Sequence, residues 1–322
     1  MPLAIETTNL GKRYRQTWAV RDLDLALAEG SVFGFLGPNG AGKTTTIRML
    51  LGLIAPSEGS GMILGHDIVR DRAAIVQKVG AIVESPAFYG YLSGRDNLIV
   101  LARTAGHVDH ARIDQVLETV DLQARAKDKV KTYSLGMKQR LAIAAALLNQ
   151  PQIIFLDEPT NGLDPAGTVE VRELIKRLGV AGHTIFLSSH LLHEVEQVCT
   201  DVAIINRGQM VTQGRVADLV RDSAALLVEA KPLPIVQAVA ERMDVAVQIT
   251  GPRTAVLTLS PERAPELTAA LVRAGANIFQ ITPQRSTLEQ RFLQLTGAPQ
   301  SQTNRIEQHT RKENDHDLAV AR

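Results

Sequence analysis

Val32-Phe-Gly-Phe-Leu-Gly37-Pro38-Asn39-Gly40-Ala41-Gly42-Lys43-Thr44-Thr45 is the stretch on which the reading of this chain turns. Val32–Leu36 is a short apolar run of the kind that forms a strand buried on both faces. The residues after it have the spacing Gly-x4-Gly-Lys-Thr, and a helical pattern through Ile47–Leu53 follows directly. Strand, glycine-rich turn and helix in that order predict a phosphate cradle. The glycines let consecutive backbone N–H groups converge on phosphate oxygens, and the helix directs its positive end at the same point. Lys43 would neutralise the β- and γ-phosphates, the Thr44 hydroxyl is placed to ligate Mg²⁺, and Thr45 adds a donor. The loop alone implies a nucleotide and nothing narrower, because kinases, GTPases and ATPases share it.

A second acidic site narrows the choice. In Ile153-Ile-Phe-Leu-Asp157-Glu158-Pro159 an apolar strand ends in two adjacent carboxylates. Ligands of open α/β sheets bind beyond the carboxyl ends of the strands, which sets both acids at the phosphate crevice. Asp157 is expected to hold Mg²⁺. Glu158 is expected to polarise an attacking water as general base, a part that transfer to another acceptor does not need in this position.

Outward from these motifs, short β-branched runs alternate with helical ones from Leu3 to about Arg221, the pattern of a mostly parallel sheet flanked by helices. Leu23, Leu25 and Leu27 alternate with polar neighbours, predicting early antiparallel strands with one wet face. Residues 92–149 have helical periodicity without a convincing strand and read as a helical insertion. Core strands resume at Gln152–Leu156, Thr184–Ser188 and Val202–Ile205. Residues 222–297 change rhythm to strand, helix, two strands, helix, strand: 226–229, 235–242, 245–249, 255–259, 264–274 and 277–281. That order predicts a small α+β, ferredoxin-like domain. An amphipathic helix at Thr287–Leu295 is expected to pack on it, and the polar residues 298–322 read as a disordered tail.

Composition bounds the rest. The chain has 322 residues, enough for two folded units, and 35 Lys and Arg against 34 Asp and Glu, so no large net field draws it to nucleic acid or an anionic membrane. The single cysteine, Cys199, excludes an intramolecular disulfide and reads as a small buried residue on a helix. Met1-Pro-Leu-Ala-Ile-Glu does not resemble a signal peptide, and no apolar run approaches the ~20 residues that cross a bilayer as a helix. Any membrane span is expected from a partner.

Between the phosphate loop and the second acid lies Tyr133-Ser134-Leu135-Gly136-Met137-Lys-Gln-Arg140, followed by a helix. With this segment the chain resembles an ABC ATPase, a P-loop NTPase with a mixed sheet and a helical insertion. Ser134-Leu-Gly-Met137 is similar to the family's signature, Asn161-Gly-Leu-Asp164 to its D-loop, His190 to its switch histidine, and Glu84 occupies the Q-loop position as a further Mg²⁺-side ligand. Tyr14 sits where the family stacks an aromatic on adenine, although an ordinary packed aromatic fits the residue equally well. The resemblance implies ATP and Mg²⁺ as ligands, ATP hydrolysis, and two cassettes clamped head to tail, with Ser134–Met137 of one serving the γ-phosphate on the other. Ser134 as a helix cap and the backbone N–H groups exposed at Gly136 suit an anion site. Whether the pair is a homodimer or joins a paralogous cassette is open.

Leu135 and Met137 in the signature, and Glu84 in place of glutamine, resemble the branch serving drug and antibiotic exporters of the daunorubicin- and bacitracin-resistance type. Ser286–Phe292 resembles the accessory-domain ending found there. The expected function is therefore the nucleotide-binding subunit of an exporter at the cytoplasmic face of the membrane, driving a separate transmembrane permease whose substrate could be a drug, lipid or peptide. The aromatic run Pro86-Ala-Phe-Tyr-Gly-Tyr91 is either a docking loop for that permease or aromatic core of the insertion. A soluble ABC ATPase acting on ribosomes or nucleic acid is the competing class. It usually carries paired cassettes or coiled-coil insertions, neither of which is present, and the charge balance lacks a basic excess.

Overall fold

The computed structural model describes residues 2–83, 87–106, 108–221 and 225–284, with Leu288 and Phe292. The chain divides into two compact units, Met1–Asp218 and Leu219–Arg322. The first begins with β1 (Leu3–Tyr14), β2 (Thr17–Leu23), β3 (Ala26–Ala28), β4 (Val32–Leu36) and α1 (Lys43–Leu50). It continues through β5 (Glu58–Ile63), β6 (His66–Asp67), α2 (Arg72–Lys78) and β7 (Val79–Ile82) to three helices, α3 (Gly94–Thr104), α4 (His110–Thr119) and α5 (Leu135–Leu147). Then come β8 (Ile153–Asp157), α6 (Pro165–Val180), β9 (Thr184–Ser189), α7 (Leu192–Val198), β10 (Asp201–Asn206) and β11 (Gln209–Arg215), with α8 (Val216–Arg221) containing the division.

The early strands pair antiparallel in the order β2-β1-β5-β6, with β3 on β1. The main sheet runs β11-β10-β4-β9-β8-β7 and is parallel except for the β10–β11 pair. Two of its strands escape the sequence pattern, both at the edges: β7 is only four residues, and β11, Gln-Met-Val-Thr-Gln-Gly-Arg, is mostly polar. The first helix also stops earlier than its periodicity predicts. It ends at Leu50, with Gly52 at φ 63°, a left-handed conformation that closes helices, so Leu53 lies beyond it.

The centre of the main sheet is a row of phenylalanines. Phe33 and Phe155 are the register partners of Phe186 on either side, so all three point to one face. Ring centroids lie 5.7 Å apart for Phe33–Phe186 and 5.2 Å for Phe155–Phe186, and Phe35 joins at 5.4 Å. Such contacts contribute ~0.5–1.5 kcal/mol each beyond burial. Ile47, Met49 and Leu50 of α1 belong to the same core, so this helix covers the phenylalanine face. Two residues past Phe155 and Phe186 on that face stand Asp157 and Ser188. Packing at the row thereby decides what meets at the strand ends.

The insertion is helical, as its periodicity predicts. Side chains cap its helices: Ser93 accepts from Asp96 N, Asp109 from Ala111 and Arg112 N, and Ser134 from Met137 N.

The second unit contains β12 (Ala225–Lys231), α9 (Leu233–Arg242), β13 (Val247–Ile249), β14 (Thr254–Leu257), α10 (Ala264–Arg273) and β15 (Asn277–Gln284). Its sheet order is β13-β14-β12-β15, antiparallel throughout, which is the ferredoxin-like arrangement. Its core is its own, built from Leu226, Val228, Val236, Leu257, Leu267 and Leu271 among others. Of the helix expected at Thr287–Leu295 only Leu288, which is buried, and Phe292 are described; residues 298–322 lie outside the described residues. Among the described residues no helix is long and apolar enough to cross a membrane.

Candidate functional site

The loop from Gly37 to Gly42 leaves β4 and turns into α1. Two glycines are obligatory for contact reasons: a Cβ on Gly37 would stand 2.3 Å from the Ile205 carbonyl oxygen, and one on Gly42, at φ 108°, 2.6 Å from that of Ala19. The loop is thus wedged between β10 and β2. Lys43, 6% exposed, folds back into it. Its ammonium donates to Gly37 O at 2.7 Å and Pro38 O at 3.3 Å and lies 3.1 Å from Glu158 Oε1. A cation this buried requires such partners. The next hydroxyl, Thr44 Oγ1, donates to Asp157 Oδ2 at 2.8 Å, and Thr46 Oγ1 donates to Gly42 O at 3.0 Å.

Asp157 ends β8, and its register partner on β9 is Ser188. Ser188 Oγ donates to Asp157 Oδ1 at 2.5 Å and accepts from Glu158 N at 3.0 Å. Both Asp157 oxygens are therefore held by hydroxyls. Glu158 has a φ of 49°, an uncommon conformation for a residue with a side chain, and it turns the carboxylate toward both Lys43 and His190. His190 Nδ1 lies 2.7 Å from Glu158 Oε2. With a carboxylate as acceptor Nδ1 is the protonated nitrogen, which leaves Nε2 for another partner.

The carboxyl ends of three adjacent strands, β4, β9 and β8, thus bring Lys43, Thr44, Asp157, Glu158 and His190 together. Ser188, the residue that joins the two acids, carries no motif of its own; its signal is only its place at the end of a buried strand before His190. The donors around Asp157 are all hard oxygens, which fit Mg²⁺, a cation that needs few protein ligands because it keeps phosphate and water oxygens. Glu84, expected to complete this set, lies outside the described residues, as do Ser85 and Pro86.

A second group forms elsewhere in the unit. Ser134 is exposed at the start of α5, Leu135 Cδ2 approaches Gly162, and Gly136 faces Gly167 in the first turn of α6, whose cap is Asp164. Arg140 pairs with Glu170 at 3.3 Å, fastening α5 to α6. Among the described residues no hydrogen bond or ion pair joins Ser134–Met137 to Lys43 or Asp157. Tyr14, at the end of β1, is exposed rather than packed in the core, with Lys12 Nζ 5.4 Å from its ring centroid.

Of the aromatic run, Tyr89 and Tyr91 are exposed with centroids 5.8 Å apart, and Phe88 is half-buried. Asn97, 2% exposed, braces the loop: its Oδ1 accepts from Tyr89 N at 2.8 Å, and its Nδ2 donates to Tyr89 O and Ser93 O.

Residues 20–161 match the family described as ABC transporter. The bacitracin transport ATP-binding protein BcrA of Bacillus licheniformis is 48% identical over 214 residues, covering 66% of this chain and 70% of that protein. The daunorubicin resistance ATP-binding protein DrrA3 of Streptomyces coeruleorubidus is 35% identical over 304 residues, covering 91% of this chain and 96% of that protein. A solved structure of an ATP-binding subunit of an ABC transporter superposes with a TM-score of 0.60 at 28% identity, covering 68% of this chain and 92% of that one.

Proposed function

The chain belongs to the family of ABC transporter ATP-binding proteins, and we propose that it is the ATP-hydrolysing motor of a drug- or antibiotic-type exporter whose membrane-spanning part is a separate subunit. The observation that carries the proposal is the meeting of Lys43, Thr44, Asp157, Glu158 and His190 at three adjacent strand ends.

Phosphate oxygens of ATP take the place of Glu158 at the Lys43 ammonium, with the loop N–H groups as further donors and the positive end of the α1 dipole directed at the same point. Thr44 and Asp157 would hold Mg²⁺, which when bound supplies neutralising charge to the phosphate oxygens. Glu158, released from Lys43 and oriented by His190 Nδ1–H, accepts a proton from water as its oxygen bonds to the γ-phosphorus. The bond from that phosphorus to the bridging oxygen breaks, ADP leaves, and Lys43 takes up the charge developing on it. Tyr14, exposed at the end of β1, is the residue available to stack on the base. Ser134 and Gly136 of a second copy or paralogue complete the site, which makes dimerisation part of catalysis. The Tyr89–Tyr91 surface is the docking loop for the cytoplasmic part of the permease, which would hold the chain at the membrane's inner face.

The test is fractionation of cells expressing tagged Glu158→Gln chain with ATP present. Recovery with membranes and one multi-span protein supports the exporter reading; recovery with ribosomes or nucleic acid, leaving membranes empty, overturns it while keeping the ATPase.

A further inference from the structure

Thr160 stands two residues beyond Glu158, and Glu194 stands four beyond His190, on segments that leave the neighbouring strands β8 and β9. The Thr160 hydroxyl donates to Glu194 Oε2 at 2.5 Å. Glu194 is 7% exposed, so its carboxyl group needs this partner to be tolerated. Around the pair Pro159, Arg172, Ser189 and Val195 help to line a cavity of about 10 Å³, too small to admit more than a single water. Arg172 brings in α6, the helix capped by Asp164, and its Nε is buried with no hydrogen-bond partner among the described residues. The turn after β8, α6 and α7 therefore converge on this one small cavity.

Glu158 has particular need of such support. Its left-handed backbone is unfavourable for a residue with a Cβ and persists only where the surroundings over-determine it. On its N-terminal side the Ser188 carbonyl and hydroxyl both accept from Glu158 N, at 3.2 and 3.0 Å. On its C-terminal side Asn161 N donates to Glu158 O at 3.1 Å, and the Thr160–Glu194 bond ties that same turn to α7.

We propose that Glu194 is a positioning residue for hydrolysis: through Thr160 it locks the turn that carries Glu158 to the helix that follows His190, so that base and imidazole keep one spacing through turnover. This rests on Glu158 being the general base.

Steady-state ATP hydrolysis by the full-length chain is compared for Thr160→Val, Glu194→Ala, the double variant, Thr160→Ser, Glu194→Gln and Glu158→Gln, with circular dichroism and melting curves for each. Each of the first two is expected to lose about 10- to 100-fold in kcat, as small misplacements of catalytic groups do. KM for ATP should stay within about twofold, since a transition-state contact alone is lost. The double variant should be no slower than the slower single, and the Ser and Gln variants, which keep a donor and an acceptor, should recover most of the rate. A folded Thr160→Val with the parent kcat overturns the proposal, as do losses that multiply in the double variant or that fall on KM. Thr160→Val nearly preserves shape and carries the test if Glu194→Ala does not fold. Glu158→Gln turning over at the parental rate removes the base and the proposal with it; an inactive Glu158→Gln beside an unaffected Thr160→Val removes the positioning role alone.

Discussion

Lys43 Nζ lies 3.1 Å from Glu158 Oε1. The carboxylate proposed to activate water is thus the counter-ion of the ammonium proposed to hold the phosphates, and the two parts exclude one another until phosphate oxygens take over at Lys43. Such an exchange of one anion for another keeps a buried cation paired throughout.

Glu158→Gln removes that competitor as well as the base. ATP should bind at least as tightly as in the parent, while turnover falls by about 10²–10⁴, the range of general-base contributions. A dimer that persists on gel filtration with ATP, together with phosphate-release assays, checks both. An unchanged rate would remove Glu158 from its role.

Ser188→Ala leaves Asp157 Oδ1 without its hydroxyl donor and Glu158 N with the Ser188 carbonyl as its one remaining acceptor. The expected loss of stability is about 1–3 kcal/mol, the usual consequence of an unpaired buried polar group. Hydrolysis should fall more than ATP binding does, because both acids lose their common tether; melting curves and titration with a fluorescent nucleotide separate the effects.

Tyr89→Ala with Tyr91→Ala should leave the ATPase of the isolated chain unchanged and abolish its recovery with membranes, since both rings are exposed. Asn97→Ala, which removes three hydrogen bonds from beneath the loop, should reduce the same recovery and also lower the melting temperature. Membrane recovery that survives the tyrosine pair would refute the docking surface.

Residues whose chemistry depends on consecutive spacing were readable without coordinates. Gly37–Thr44 and Asp157-Glu158 each lie at or directly after one strand end, and Ser134 caps the helix after it as its place predicts; Asp164 also caps its helix, which its likeness to the D-loop did not foretell. Ser188 and Glu194 were not readable. One acts through register with a neighbouring strand and the other through a contact between two loops, and neither relation leaves a pattern along the chain. The edge strands β7 and β11 were missed for want of a long apolar run, whereas the ferredoxin-like unit was legible because β12 and β14 alternate and its two helices each carry one apolar face.

Cys199 follows α7 and is buried; burial, with a smaller contribution from Asp201, pushes its thiol well above the ordinary range. The reactive thiolate is therefore scarce at any physiological pH. Iodoacetamide at pH 8 should leave the native chain unlabelled and modify one equivalent in urea, read by intact mass. Rapid labelling without denaturant would mean that α7 opens readily.

The pairing of Asp157 with Ser188 across β8 and β9 makes alignment of the sheet self-checking. A slip of one residue would turn Asp157 to the opposite face, away from the Thr44 and Ser188 hydroxyls, and break the phenylalanine row in the same step. Misaligned forms are therefore penalised twice, by lost aromatic packing and by a stranded carboxylate. A chain that has reached this sheet in its native alignment has its acids already in place, and hydrolysis doubles as an assay of correct folding.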